Sequence, residues 1–221
     1  MHTTSNFLAS ALLALGMASV ALTGCDDPAK GKAKATTAET TSTTSQPAIA
    51  AQQTTVKYAF DQTASKVQWT GSKVTGKHDG GFGTFKGTVE VVDGVPEKSK
   101  VDVSIDADSL TSDTEKLTGH LKSPDFFDTK ANPKATFVSK EIKRGGDKGA
   151  THTVTGDLTI KGITKTVTFP ATISVAGDAA NVDAEFAINR RDFSLNYPGM
   201  PNDLIRDDVV IKLTIRAKKS S

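Results

Sequence analysis

The residues best suited to do chemistry in this chain are three internal histidines and one cysteine. His78, His120 and His152 lie far apart without the H-x-x-x-H spacing of a metal site, and Cys25 is the only cysteine. No nucleophile with an adjacent base and no spaced pair of carboxylates stands out. The sequence therefore predicts no catalytic residue, no cofactor and no metal site, unless distant ligands converge in the fold.

A glycine-rich stretch, GKHDGGFGTF over 76–85, is the other candidate for ligand chemistry. It lacks the GK[ST] ending and the following helix of a phosphate-binding loop. Its glycines instead predict a tight bend or a bulge between strands.

Cys25 has a sequence context that predicts acylation. Residues 7–22 are small and apolar, a run that is short for a membrane-spanning helix and typical of a secretory signal. The LTGC that ends at Cys25 resembles the lipobox of bacterial lipoproteins, although MHTTSN lacks the usual Lys or Arg. We expect residues 1–24 to be a lipoprotein signal peptide, and an acyl anchor on Cys25 to hold the protein at a membrane, facing the periplasm. The alternative is a buried cysteine in an ordinary domain.

The segment that follows the cysteine is predicted to be a disordered tether. Residues 26–55 are rich in Thr, Ala, Ser and Lys and nearly lack large apolar side chains. The acylated cysteine and tether (25–55) would span roughly 30 Å. The net charge of +2 suggests no nucleic-acid partner, and a single cysteine excludes an intramolecular disulfide.

The remaining chain, 56–219, is predicted to be one all-β domain, because its apolar residues alternate with polar ones. Seven clear runs and a less clear eighth near 135–143 are separated by Gly, Asp and Asn turns. One or two helical turns are expected around 113–123. Eight such strands close into an antiparallel, lipocalin-like barrel with room for side chains or one small ligand, and the helical segment is a short insertion.

Three stretches resemble the YceI-like family of bacterial envelope proteins: VQWTGSKVTGKHDGGFGTFKGTVEV from 67, LTGHLKSPDFFDTKANPKATFVSKEI from 117, and VTGDLTIKGITKTVTFPATI from 154. A fourth, from 186 to 215, continues the match to the closing strand. The resemblance implies a lipocalin-like barrel that holds a polyisoprenoid lipid, such as a quinone tail, in an elongated pore. Most members carry an ordinary secretory signal, so an acyl anchor would be a departure.

The inward faces of the strands would line such a pore. The predicted lipid-binding residues are Trp69, Phe85, Val103, Ile105, Phe126, Phe127, Phe137, Leu158, Ile160, Phe169, Phe186 and Ile188. Alternation alone does not distinguish a hollow barrel from a filled one. The filled barrel would suit an interaction or stress-protective envelope protein without a bound lipid, which is the alternative function.

Phe126 and Phe127 are unusual because they lie in a connection, HLKSPDFFDTK, rather than in a strand. We expect this connection to fold over one barrel end, where the rings either gate the opening or only seal the core. Arg190 and Arg191 are expected to form ion pairs at a rim, with headgroup recognition as a second interpretation. The sequence leaves the identity of the lipid and the oligomeric state, a homodimer included, undetermined.

Overall fold

The computed structural model describes residues 27–40 and 53–220. The strands are β1 (Ala33–Lys34), β2 (Thr36–Ala38), β3 (Thr55–Asp61), β4 (Lys66–Lys73), β5 (Gly76–Phe82), β6 (Phe85–Val92), β7 (Val95–Asp106), β8 (Leu110–Ser112), β9 (Lys134–Arg144), β10 (His152–Ile160), β11 (Ile163–Ala176), β12 (Ala179–Asn189), β13 (Gly199–Met200), β14 (Asp203–Leu204) and β15 (Asp208–Lys219). Helix α1 spans Glu115–Lys122, and short 3-10 turns occupy Ala107–Ser109, Asp147–Gly149 and Arg190–Phe193. No helix in the described residues is long and apolar enough to cross a membrane.

The main sheet closes into an antiparallel barrel of eight strand positions, as predicted. β15 pairs with β12 on one side and with both β3 and β4 on the other, which completes the circle. Three positions are each filled by two consecutive strands: β3 with β4, β5 with β6, and β7 with β8. These breaks lengthen the barrel beyond β3, β6 and β7 and place β4, β5 and β8 around one end.

Tight turns of a type that requires positive φ set the register of two hairpins. Asp93 and Gly94 (φ 55° and 69°) join β6 to β7, and Lys161 and Gly162 (φ 50° and 73°) join β10 to β11. Two consecutive residues with positive φ match the right-handed twist of the flanking strands. The first of these turns contains only two residues, because β7 already begins at Val95.

Helix α1 and the loop after it connect β8 to β9, and this is the predicted helical insertion. The Thr114 hydroxyl caps the helix by accepting a hydrogen bond from the Leu117 amide (3.3 Å). Leu117 and Leu121 lie on the same helix face and pack toward Leu110 of β8. The Lys161 ammonium donates to the Pro124 carbonyl (3.0 Å), which holds the loop against the β10–β11 turn.

The N-terminal segment 27–40 lies against the barrel wall, which differs from the flexible tether that its composition predicts. β1 runs parallel to β12 at Phe186, β2 runs antiparallel to β11 at Val167, and Ala35 between them is buried. The physical reason is that β11 and β12 diverge here and leave unpaired backbone groups, which this segment satisfies. The predicted signal peptide, Cys25 and residues 41–52 lie outside the described residues.

Candidate functional site

The barrel encloses an elongated cavity of about 680 Å³. This volume is within the range of roughly 300–1,000 Å³ that is typical of small-molecule sites. All eight strand positions contribute apolar lining. The lining includes Phe60, Val67, Phe82, Val89, Val101, Ile142, Val154, Val167, Ile173, Val182, Val209, Ile211, Leu213 and Ile215. A long apolar molecule would therefore find almost no hydrogen-bonding partner along the wall.

The predicted lining residues coincide with this cavity, apart from Phe85. Those that line it are Trp69, Val103, Ile105, Phe126, Phe127, Phe137, Leu158, Ile160, Phe169, Phe186 and Ile188. Phe85 is buried in a core cluster with Tyr58 and Val89 and does not line the cavity. Phe85 is paired with Ile105, a lining residue, so it lies on the predicted inward face, but its side chain is buried in the core and does not border the cavity.

Three phenylalanines of the wall pack against one another. Phe169 stacks on Phe186 with ring centroids 4.2 Å apart, and Phe137 lies 5.8 Å from Phe169. The Phe137 ring rests over Gly156, where an added Cβ would meet it at 2.5 Å. Gly156 therefore has a packing role, because it leaves the space that the Phe137 ring occupies.

The two adjacent phenylalanines of the α1 loop have different surroundings. Phe126 is buried in a cluster with His120 and Tyr197, at centroid distances of 5.0 and 5.2 Å. Phe127 is half-buried and meets Phe82 edge-on at 6.3 Å, where it faces the cavity. Phe126 thus matches the sealing role, and Phe127 has the position expected of a gate.

The polar lining marks the mouth of the cavity. Lys73, His78, Lys116 and Asp203 lie at the end formed by α1, the β4–β5 turn and the β13–β14 hairpin. Lys73 pairs with Asp203 (2.6 Å), and this hydrogen bond holds the pKa of the Asp203 carboxyl below its usual range. Toward the other end the lining is apolar, and Val91 beyond it is fully buried.

Arg190 is a buried cation that organises the loop beside the mouth. Its guanidinium donates to the carbonyls of Leu195, Ile205 and Arg206 and to the Asp207 carboxylate. Burial lowers the pKa of Arg190, while Asp207 opposes that shift. Arg191 also binds Asp207 (2.6 Å), so the prediction of ion pairing by both arginines is confirmed.

The three internal histidines are found in three separate places. His78 contacts Asp113 (3.0 Å), His120 contacts Asp125 (3.0 Å), and the buried His152 contacts the Thr151 hydroxyl (2.8 Å). Among residues 27–40 and 53–220, no group of three His, Cys, Asp or Glu side chains is arranged to hold a metal ion.

Some lining residues were not predicted from the sequence because they lie outside strands. Leu117 and Leu121 come from α1, and Leu195, Tyr197 and Ile205 come from the loop between β12 and β15. The i, i+4 spacing of the two leucines was the available signal for the helix. Nothing comparable marks Tyr197 or Ile205, because loops have no period.

A closed antiparallel barrel around an apolar cavity defines a class of small-molecule binding proteins with lipocalin-like architecture. Residues 58–217 match the family model of the YceI-like domain, and this chain belongs to that family. It is 37% identical over 139 residues to a UPF0312 protein of Pseudomonas putida, covering 60% of this chain and 71% of the relative. It is also 37% identical to Protein YceI of Escherichia coli O157:H7 over 123 residues, which covers 52% and 63% of the two chains.

Two solved structures share the fold. Burkholderia cenocepacia BcnA has a TM-score of 0.63 and 29% identity, covering 72% of this chain and 99% of BcnA. A polyisoprenoid binding domain from Saccharophagus degradans, implicated in plant cell wall breakdown, has a TM-score of 0.59 and 16% identity, covering 75% and 99%. The family match begins at residue 58, so the N-terminal segment 27–40 lies outside it.

Proposed function

We propose that this chain binds a polyisoprenoid lipid, such as a quinone-type or isoprenoid carrier lipid, inside the barrel and acts as its carrier or buffer in the bacterial envelope. The observation that carries the proposal is the apolar cavity of about 680 Å³, which has a polar mouth at one end. The Saccharophagus degradans structure of the same fold, described as a polyisoprenoid binding domain, supports this ligand class.

The energetics favour an oily chain over a polar ligand. Each buried CH₂ contributes about 0.8 kcal/mol, so a five-carbon unit contributes about 4 kcal/mol before the entropy costs of binding. The stacked Phe169 and Phe186 and the neighbouring Phe137 offer a wall that accepts methyl branches without requiring hydrogen bonds. Binding is favoured over catalysis, since most of the lining supplies dispersion contacts and its charged side chains lie at or beside the mouth.

The cavity argues against the alternative of a filled barrel. A filled interior would be packed at the density of an organic crystal, with voids no larger than a few water molecules. A space that extends from Val89 and Ile142 to the mouth at Lys73 is far larger. The interior therefore favours a binding protein over a solid interaction scaffold.

The proposal includes an acyl anchor on Cys25, two residues before the first described residue. A lipoprotein cysteine carries two or three acyl chains, and two membrane signals are enough for stable anchoring. An anchored carrier would hold its ligand near the membrane and keep it out of bulk water. Replacement of Cys25 by Ser should move the protein from the membrane fraction to the soluble fraction and remove the acyl mass. Unchanged fractionation would contradict the anchor alone.

A substitution that fills the cavity tests the binding proposal. Leu158 faces the cavity from β10, and Leu158→Trp should reduce the isoprenoid extracted from the purified protein at least fivefold, with an unchanged far-UV circular dichroism spectrum. The control is Val138→Trp, because Val138 lies on the neighbouring strand and is 47% exposed. Equal lipid content in both variants, or no lipid in the unaltered protein, would contradict the proposal.

A further inference from the structure

Three of the most exposed large apolar side chains in the described residues lie side by side. Val74 is 54% exposed, Met200 is 63% exposed and Leu204 is 50% exposed. The Val74 amide donates to the Leu204 carbonyl (3.2 Å), and Leu204 belongs to the same hairpin as Met200. We call these three residues the tip patch.

The tip patch borders the mouth of the cavity. Lys73, the neighbour of Val74, lines the cavity, as do Gly199, Met200 and Asp203 of the β13–β14 hairpin. The patch is therefore continuous with the opening through which a lipid would pass.

The backbone that presents the tip patch is held by polar contacts within the two turns. Asp203 accepts hydrogen bonds from Lys73 (2.6 Å) and from the Thr75 amide (3.0 Å), and the Arg206 amide donates to the Ser72 carbonyl (2.9 Å). These contacts hold the two turns together. The two turns are therefore already folded before binding, so docking of the apolar side chains does not require them to become ordered.

The N-terminal segment reaches the same end of the molecule. The Asp27 carboxylate lies 3.4 Å from the Arg206 guanidinium, and Arg206 is two residues from Leu204. Cys25 precedes Asp27 by two residues, which span at most about 7 Å when extended. An acyl group on Cys25 would therefore leave the protein near the tip patch.

We propose that the tip patch is a bilayer-docking surface that holds the mouth of the cavity against the membrane. The inference rests on the proposed function, because it gives the acyl anchor and the lipid cavity a common orientation. Lipid would then move between bilayer and cavity without crossing bulk water.

The size and charge of the tip patch favour a bilayer over a protein partner. Three side chains are far fewer than the 20–30 residues per side that a stable protein interface of roughly 1,600 Å² requires. A small apolar patch does suit the second of two membrane signals, when an acyl chain supplies the first. Two neighbouring cations pair within the chain, Lys73 with Asp203 and Arg206 with Asp27, so these two should add little salt-dependent attraction to a bilayer.

Site-specific fluorescence on the acylated protein tests this orientation. Acylation consumes the only native thiol, so Met200→Cys can carry a single environment-sensitive NBD label in phosphatidylcholine–phosphatidylglycerol vesicles. We expect nitroxide lipids to quench this label at least threefold more than a label at Val138→Cys, the control on the barrel wall. Equal quenching at the two positions would overturn the docking surface.

A transfer measurement gives a second, independent readout. The double variant V74S/L204S keeps Met200, which lines the cavity, and should take up a polyisoprenoid from donor vesicles at least tenfold more slowly, with the same amount bound at equilibrium. An unchanged uptake rate would contradict the inference. If the unaltered protein binds no polyisoprenoid at equilibrium, the proposed function is contradicted instead. If the protein carries no acyl mass, the anchor is contradicted. The three failures are therefore distinguishable.

Discussion

β11 has two neighbours in the barrel, β10 and β12. We call the boundary between β11 and each neighbour a seam, and the two seams are closed in different ways. Toward β10 the strands pair continuously from His152–Ala171 to Ile160–Ile163. Toward β12 they pair only from Thr172–Asp183 to Ala176–Ala179, next to the hairpin turn, and then diverge. The remaining gap is covered by residues 33–38 of the N-terminal segment.

The comparison shows that a barrel can be completed by chain that is remote in sequence. The β10–β11 seam is a local hairpin. The β11–β12 seam, called the second seam below, is completed by a segment that lies about 130–150 positions earlier in the sequence. On the inside, the stacked rings of Phe169 and Phe186 bridge the strands where the backbone pairing stops. On the outside, Lys32–Glu185 (2.6 Å) and Lys34–Asp208 (2.8 Å) hold the segment in place.

The largest effect is expected from removing the stack of Phe169 on Phe186, which connects β11 to β12. Phe169→Ala removes a buried ring that packs on both sides of β11, so the free energy of unfolding should fall by about 3–5 kcal/mol. Urea unfolding followed by circular dichroism measures this loss. A loss below about 1 kcal/mol would mean that the ring stack does not hold the second seam.

A substitution in β10, on the side that faces β9, should have an intermediate effect. In Gly156→Val the new side chain meets the Phe137 ring and the Val138 carbonyl at 2.5 Å, which should cost about 1–3 kcal/mol of unfolding free energy. The control is Gly76→Val, since nothing lies within 4 Å of a Cβ at Gly76. If both variants unfold at the same urea concentration, the close packing at Gly156 does not contribute to the free energy of unfolding.

Substitution of Ala35 should affect the second seam locally. Ala35→Asp places a carboxylate among buried apolar side chains, and we expect the N-terminal segment to detach while the barrel stays folded. In the unaltered protein the amide of residue 35 donates to the Ala187 carbonyl (2.8 Å). Hydrogen exchange at this amide should accelerate at least tenfold in the variant. Thr36→Asp is the matched control because Thr36 is exposed. Global unfolding of the Ala35 variant would show that the segment is an integral strand.

The smallest effect concerns the surface ion pair of Lys34. Its hydrogen bond to Asp208 raises the pKa of the Lys34 ammonium above 10.5, so the pair contributes stability below that pH. This contribution is lost as the pH rises through the raised pKa. Lys34→Gln should therefore lower the unfolding midpoint slightly at pH 7, and the difference should shrink as the pH rises through the raised pKa of Lys34. A difference of the same size across this alkaline range would exclude the charge as its cause.

Much of the fold was predictable because strands that face a common interior leave a period of two. Val103, Ile105, Leu158 and Ile160 were placed on the cavity wall from alternation, and the family motifs predicted the hollow interior. The N-terminal segment was not predictable, because Ala33–Ala38 contains no large apolar side chain. Its position depends on a gap between β11 and β12 that is visible only in three dimensions.

The ends of the cavity were harder to predict than its walls. Alternation carries no information about Tyr197 or Ile205, which lie in a loop. It also does not show that Phe85, on the inward face, is buried in the core away from the cavity. The adjacent Phe126 and Phe127 both line the cavity, yet Phe126 is buried in an aromatic cluster whereas Phe127 is half-buried against Phe82. Only the course of the loop distinguishes them.

The central claim is that the barrel interior holds an oily chain, and a crystal structure of the protein purified from envelope membranes tests it most directly. We predict continuous electron density for a methyl-branched chain running from the Phe169–Phe186 stack past Phe127 toward Lys73. A collapsed interior with interlocked side chains, or a cavity filled with ordered water, would contradict the claim.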